Sequence, residues 1–316
     1  MKGRFLVNEP ARQSIELGIQ TLEQVVRKDP THGPAYASMA QGWNALSSVF
    51  LPPSVAMPNA KTAARKAVEL QPDSDSAHAA LGLTLLWYDW NWAGSAEQFE
   101  KALSLNPNSA ESHRGLACLR LTLGQREQSI QAANRAADLA PRALFINLFS
   151  VFTLYLNQRE DDAIRLARAT LEWEPKFGLA RTFLGMAYLD RGHSDEAIRE
   201  LELAARDQRI PMTIAFLSMG YARVGRTREA RALLAEVVAL SRTQYVCPFE
   251  VAVAFASLGE KDEAFAWMRR GIAERADCMV HLRSEPWVAP LRSDPRYAAL
   301  IKEVGFPPDA PPAVAR

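Results

Sequence analysis

Few residues of this chain have the type and spacing to do chemistry. Cys118, Cys247 and Cys278 lie far apart, are odd in number and form no Cys-x-x-Cys pair. That pattern argues against a disulfide framework or a thiolate zinc site. It predicts free thiols, as in a reducing cytosol. His78 and His113 are 35 residues apart, which in a repeating chain puts them in one slot of neighbouring units. A metal pair there would need a further ligand, but no acidic residue shares the slot and no His-Glu-x-x-His occurs. The expectation is that imidazole replaces a large packing side chain. Glu160, Asp161 and Asp162 offer carboxylates for acid–base work, yet they fall at a helix start, where they oppose the macrodipole. Arg223, Arg226, Arg228 and Arg231 form the densest basic patch, with Glu229 interleaved. No Gly-x-Ser-x-Gly elbow, phosphate-binding loop or dinucleotide fingerprint is present. The chain is therefore expected to be no enzyme and to hold no cofactor and no metal.

Bulk composition narrows the classes further. The 316 residues carry 37 Lys and Arg against 36 Asp and Glu, a formal charge of +1. Coating nucleic acid or an anionic membrane needs a basic excess, so neither is expected as a direct partner. A hydrophobic content of 48% excludes a disordered chain. Abundant Ala, Leu, Glu, Lys and Arg favour helix. The first ten residues lack the apolar core of a secretory signal, and no run of 18 apolar residues could span a membrane. Together with the thiols this reads as cytoplasmic.

The elements that position these residues repeat. Pro72, Pro107, Pro141 and Pro175 are spaced by 35, 34 and 34 residues; Pro30 precedes Pro72 by 42, as for one unit with an eight-residue insertion. Gly124, Gly192, Gly225 and Gly259 continue the count at 68, 33 and 34. Between markers each unit reads as two helices. Phe183, Leu184, Ala187 and Tyr188 make one apolar stripe, and Ala197, Ile198, Leu201, Ala204 and Ala205 the next. Gly192 ends the first helix in a left-handed cap. Ser194 and Thr227 are expected to cap second helices, and Asn108 with Glu111 to form a capping box. Seven full units begin near Gly33, Asp75, Ser109, Ala143, Phe177, Pro211 and Tyr245, after a partial first unit. Lys2 to Val7 read as the remains of a helix interrupted by Asn8-Glu9-Pro10, so the chain starts inside a longer gene or carries a frayed first unit.

Leu184-Gly185-x2-Tyr188…Ala197-x3-Leu201, and again Leu81-Gly82…Phe99-x2-Ala102…Pro107, resemble the tetratricopeptide repeat. The resemblance implies an all-α, right-handed α-solenoid over residues 1–276, followed by a capping segment at 277–306 and a disordered Pro-rich tail at 307–316. Gly185 is read as a close-approach position that a larger side chain would overpack. Three features narrow the likeness: the insertion Leu51–Pro58, the turn Trp87–Trp92, and the end Pro290–Tyr297 with Val304–Pro307. Together they are similar to the C-terminal repeat region of bacterial CadC-like winged-helix regulators, receptor-like Ser/Thr kinases and nucleotide cyclases. No such output domain is present here. The likeness implies a regulatory or sensory arm.

In such solenoids the first helix of each unit lines the concave face. Carried onto this chain, the groove holds Gln41 and Asn44, then Leu83, Leu86, Trp87, Arg114, Cys118 and Leu121. Beyond these come Leu148, Phe152, Tyr155, Thr182, Met186, Leu189, Met219 and Val253. Of the residues that clamp a terminal carboxylate, only Arg114 and Asn44 remain, two units apart. The expected occupant is an apolar or amphipathic protein segment, which Met and aromatic side chains accommodate. Three alternatives stay open. The same residues pack against adjacent units or close the superhelix onto itself; they mediate self-association; or a small apolar molecule enters and alters the solenoid's curvature.

Overall fold

A computed structural model describes residues 2–307. Among these no strand occurs and helices alternate in pairs. A short α1 (Lys2–Leu6) lies on α2 (Arg12–Lys28). Then follow α3 (Gly33–Val49) with α4 (Pro53–Leu70), and α5 (Asp75–Thr84) with α6 (Trp92–Leu105). Next are α7 (Ala110–Thr122) with α8 (Arg126–Leu139), and α9 (Leu144–Leu156) with α10 (Glu160–Trp173). The series ends with α11 (Gly178–Asp190) and α12 (Ser194–Asp207), α13 (Pro211–Arg223) and α14 (Thr227–Leu240), and α15 (Pro248–Ser257) and α16 (Lys261–Ala273). The first helices of successive units also touch one another, from α3 through α15, and form a continuous inner layer. This is a stacked α-solenoid, in which each unit buries its apolar face only by leaning on its neighbours.

The period is written in the backbone. Gly124, Gly192, Gly225 and Gly259 all hold φ between 72° and 82° and reverse the chain within a unit. The same slot is filled by Gln158 (φ 59°) in the unit between Gly124 and Gly192, which explains the doubled 68-residue interval, and by Trp90 (φ 53°) in the unit before Gly124. The left-handed turn is thus kept even where glycine is not.

The prolines mark a second device. His78 Nε2 lies 2.8 Å from the Pro72 carbonyl and His113 Nε2 2.9 Å from that of Pro107. Asn147 donates to the Pro141 carbonyl (2.8 Å) and Arg181 to that of Pro175 (2.8 Å). Each donor sits six residues after its proline and ties the inter-unit turn to the next helix. The slot is therefore polar. Its imidazoles satisfy a backbone acceptor rather than substitute for an aromatic, which corrects the expected packing role.

Close approach of helices follows the small residues. Phe99 of α6 fits between Gly82 of α5 and Gly115 of α7; a Cβ on either glycine would come within 2.7 Å or 2.2 Å of its ring. Leu201 of α12 sits likewise between Gly185 and Gly220. The eight extra residues of the insertion lengthen two helices: α3 has 17 residues and α4 has 18, against 13 and 14 in α7 and α8. That is about one added turn each.

Three expected caps are not formed. Ser194 and Thr227 are the first residues of α12 and α14, and His193 and Arg226 hold the cap positions without side-chain bonds. Asn108 makes no capping box either: Ser109 occupies the cap of α7, and Glu111 bonds Arg114 instead.

After α16 the chain does not stop at the solenoid's end. Two short 3₁₀ segments (Asp277–His281 and Pro286–Leu291) turn back along the inner layer, the first against α3, α7 and the Trp87 turn and the second against α15. Then α17 (Pro295–Val304) packs on α16. Residues 308–316, most of the expected disordered tail, lie outside the described residues.

Candidate functional site

The inner face is largely filled by this returning segment. Trp287 donates to the Tyr155 hydroxyl (2.9 Å) and meets Phe216 edge-on at 4.7 Å. Tyr155 in turn donates to Asp190 (2.6 Å), which pairs with Arg223 (2.7 Å). His281 packs edge-on against Phe152 at 5.0 Å. Burial alone drives the His281 imidazole down to about 3, so it is neutral. Trp92 stacks on Phe306 and donates to the Gly305 carbonyl (2.9 Å), while Arg275 lies over Trp90. The aromatic run at 87–92 therefore holds the end of the chain as well as its own turn. That turn is a π-helical stretch, Leu85–Asp89, with Asn91 accepting from Gly94 N and Asp89 paired to Lys61.

Cys247, at the start of α15, is joined to Cys278 of the returning segment by a disulfide. This corrects the expectation of free thiols. The sequence separation of 31 residues gave no motif, because the two meet only through the chain's reversal. Cys118 remains a free, buried thiol, pushed up to about 11 by desolvation.

A cavity of about 130 Å³ remains between the inner layer and the returning segment. Of the residues expected in the groove, Gln41, Asn44, Trp87, Arg114, Leu148 and Phe152 line it. Leu83, Leu86, Met186 and Met219 do not; each is at most 1% exposed within the inter-helix core. Tyr155 is covered by Trp287. The inner-layer assignment was carried over helix by helix, whereas only one side of each first helix faces inward.

The cavity walls are apolar and aromatic, with Phe149, Phe183, Phe216 and Phe249 beside Phe152 and Trp287. Arg114 is its basic side chain. It forms two bonds to Glu111 (3.0 and 2.7 Å) and lies over Trp87 and Phe149. The other charged-type groups are acids. Glu250 and Glu285 are 6% and 1% exposed, and burial raises both well above the ordinary carboxylate range, helped by Asp277 and Asp190 respectively. The sequence reading missed both. Glu250 had a signal: it interrupts the apolar run from Pro248 to Ala256. Glu285 had none, since its burial depends on the segment's return.

The outer charges are spent on one another. Arg223, Arg226 and Arg231 pair with Asp190, Glu229 and Glu260. Asp161 and Asp162 pair with Arg191 and with Arg159 and Arg165. Among the described residues no group of three or more His, Cys, Asp or Glu is placed to hold a metal. None of their helices is long and apolar enough to cross a membrane.

The tetratricopeptide repeat model matches residues 84–143 and 154–211. Over those two stretches the chain is similar to tetratricopeptide repeats, and the helix-pair stacking extends the same architecture to either side. No curated protein matches the sequence. Solved structures share the fold at low identity. Yeast Tom70 superposes with a TM-score of 0.51 at 17% identity, over 93% of this chain and 63% of that one. The Cut9–Hcn1 hetero-tetramer of the APC/C gives 0.63 at 16%, over 95% and 53%. The human IFIT1 dimer with m7Gppp-AAAA gives 0.61 at 15%, over 82% and 68%. This chain thus spans between half and two thirds of the length of the Tom70 and Cut9–Hcn1 structures.

Proposed function

We propose that the chain is a non-enzymatic regulatory binding module whose site is the aromatic cavity inside the superhelix. One observation carries this reading: residues 277–307 already occupy the inner face. An amphipathic helix is about 10 Å across, and Trp287 and His281 stand where it would lie. A small apolar molecule, or one side chain inserted from a partner, fits the space that is left. The small-molecule sensing alternative therefore gains at this face. Its test is a thermal-shift series of small apolar and aromatic compounds on the wild type and on Phe152→Glu. Compounds should raise the melting temperature of the wild type and not of the variant. A wild type unmoved by every compound would sink the reading.

A protein partner is supported by the fold shared with Tom70 and Cut9–Hcn1. An amphipathic segment entering the groove would have to displace 277–307. Weakening that segment by Trp287→Ala should then tighten binding of a cognate segment, and unchanged affinity would count against a groove site. Self-association through the same face meets the same obstacle. RNA, present in the IFIT1 structure, is disfavoured by an inner face with buried acids and an already paired Arg114. The likeness to C-terminal repeat regions of bacterial regulators supports a sensory arm in signalling or transcription control. The cytoplasmic placement loses its thiol argument with the Cys247–Cys278 bond.

A further inference from the structure

We propose that the inner cavity binds a protonated amine borne on a small aromatic or aliphatic body, with the ammonium seated at Glu250 and Asp277. The proposal rests on the reading of the cavity as a small-molecule site and names its ligand class. Glu250 projects from α15 into the cavity wall and has no hydrogen-bond or ion-pair partner among the described residues, though it is 6% exposed. Asp277 of the returning segment faces the same cavity, its Oδ1 accepting the Cys278 N–H at 2.9 Å. Independently, Glu285 Oε2, also on the cavity wall, is buried with no hydrogen-bond partner, in a residue 1% exposed.

Buried carboxylates are normally paired with a cation or kept protonated. Here the folded chain brings no cation to Glu250. Arg114 is the basic side chain on the cavity wall, and Glu111 already engages it. An entering ammonium would complete the ion pair. The aromatic walls would cover the apolar body and add cation–π attraction. An anionic ligand would find no free cation on this wall among the described residues, since Arg114 is already engaged by Glu111. The titratable groups facing Glu250 are Asp277 and Tyr245; Glu111, Arg114, His281 and Glu285 share the cavity. Because burial favours the protonated form of Glu250, its ion pair with an ammonium should form with release of a proton.

The experiment is calorimetric titration of the full chain with 2-phenylethylamine, 2-phenylethanol and phenylacetate, in two buffers of different ionisation enthalpy. The amine should bind about tenfold or more tightly than the alcohol, release protons, and leave phenylacetate without measurable binding. Glu250→Gln, verified as folded by circular dichroism, should abolish the amine's advantage while the alcohol's affinity is retained. Equal affinity for amine and alcohol in the wild type would overturn the ammonium seat and leave the small-molecule cavity standing. Binding of neither would overturn the cavity reading as well. The wild-type comparison decides both questions even if the variant fails to fold.

Discussion

Gln158 holds a left-handed backbone (φ 59°) at a position where four other units use glycine. A side chain in that conformation costs about 1–2 kcal/mol, part of which glycine's extra unfolded-state freedom returns. Gln158→Gly should therefore stabilise the chain by about 0.5–1 kcal/mol, read from the midpoint of urea unfolding. Glu250 makes a prediction in pH. Its folded pKa lies above the ordinary 4.5, so the folded state keeps a proton that the unfolded state loses. Stability thus falls as pH rises from 4.5 through the raised value. Glu250→Gln removes that dependence, and its melting temperature relative to wild type should climb over this window. His281 acts with the opposite sign. Held near 3 against an ordinary 6.5, it contributes stability above 6.5 that is lost as pH drops toward 3. Glu250 was marked in the sequence by the apolar run it interrupts and Gln158 by its place in the glycine interval, but the burial that shifts Glu250 and His281 is supplied by the fold.

Helices and their spacing were the most legible level. Proline and glycine intervals placed the unit boundaries, since turns need particular backbone angles whatever surrounds them. Side-chain roles at those boundaries were less legible. Ser194 and Thr227 are good caps by type, yet the turn geometry set by Gly192 and Gly225 places them one residue too far along. The interlocking of Phe99 with Gly82 and Gly115 belongs to this scale as well. Gly115→Ala should cost about 1–3 kcal/mol by overpacking. Adding Phe99→Leu should recover part of that loss, measured as a coupling energy in a double-mutant cycle.

At the scale of the molecule the decisive feature is the return of residues 277–307 along the inner layer. Trp287 joins it to α9 and α13, and Cys247–Cys278 ties it to α15. Trp287→Ala should cost about 3–5 kcal/mol and loosen the inner face, visible as faster amide exchange in 277–291. Reduction of the disulfide, which closes a loop of about 30 residues, should lower stability by roughly 2–4 kcal/mol. Paired melts with and without reductant measure it; equal midpoints would mean that the bond adds no restraint.

The sequence by itself determined the repeating helix pair, its 34-residue period and the all-α class. These follow from local backbone preferences and apolar spacing, which recur unit after unit. The tertiary structure decided what the concave face is. Which side of each inner helix is open, which carboxyls lose water and which cysteines meet all depend on a segment that closes over residues more than a hundred positions earlier. No local spacing encodes that contact; it arises because the exposed apolar inner layer is covered by the chain's own Trp287, Val288 and Leu291.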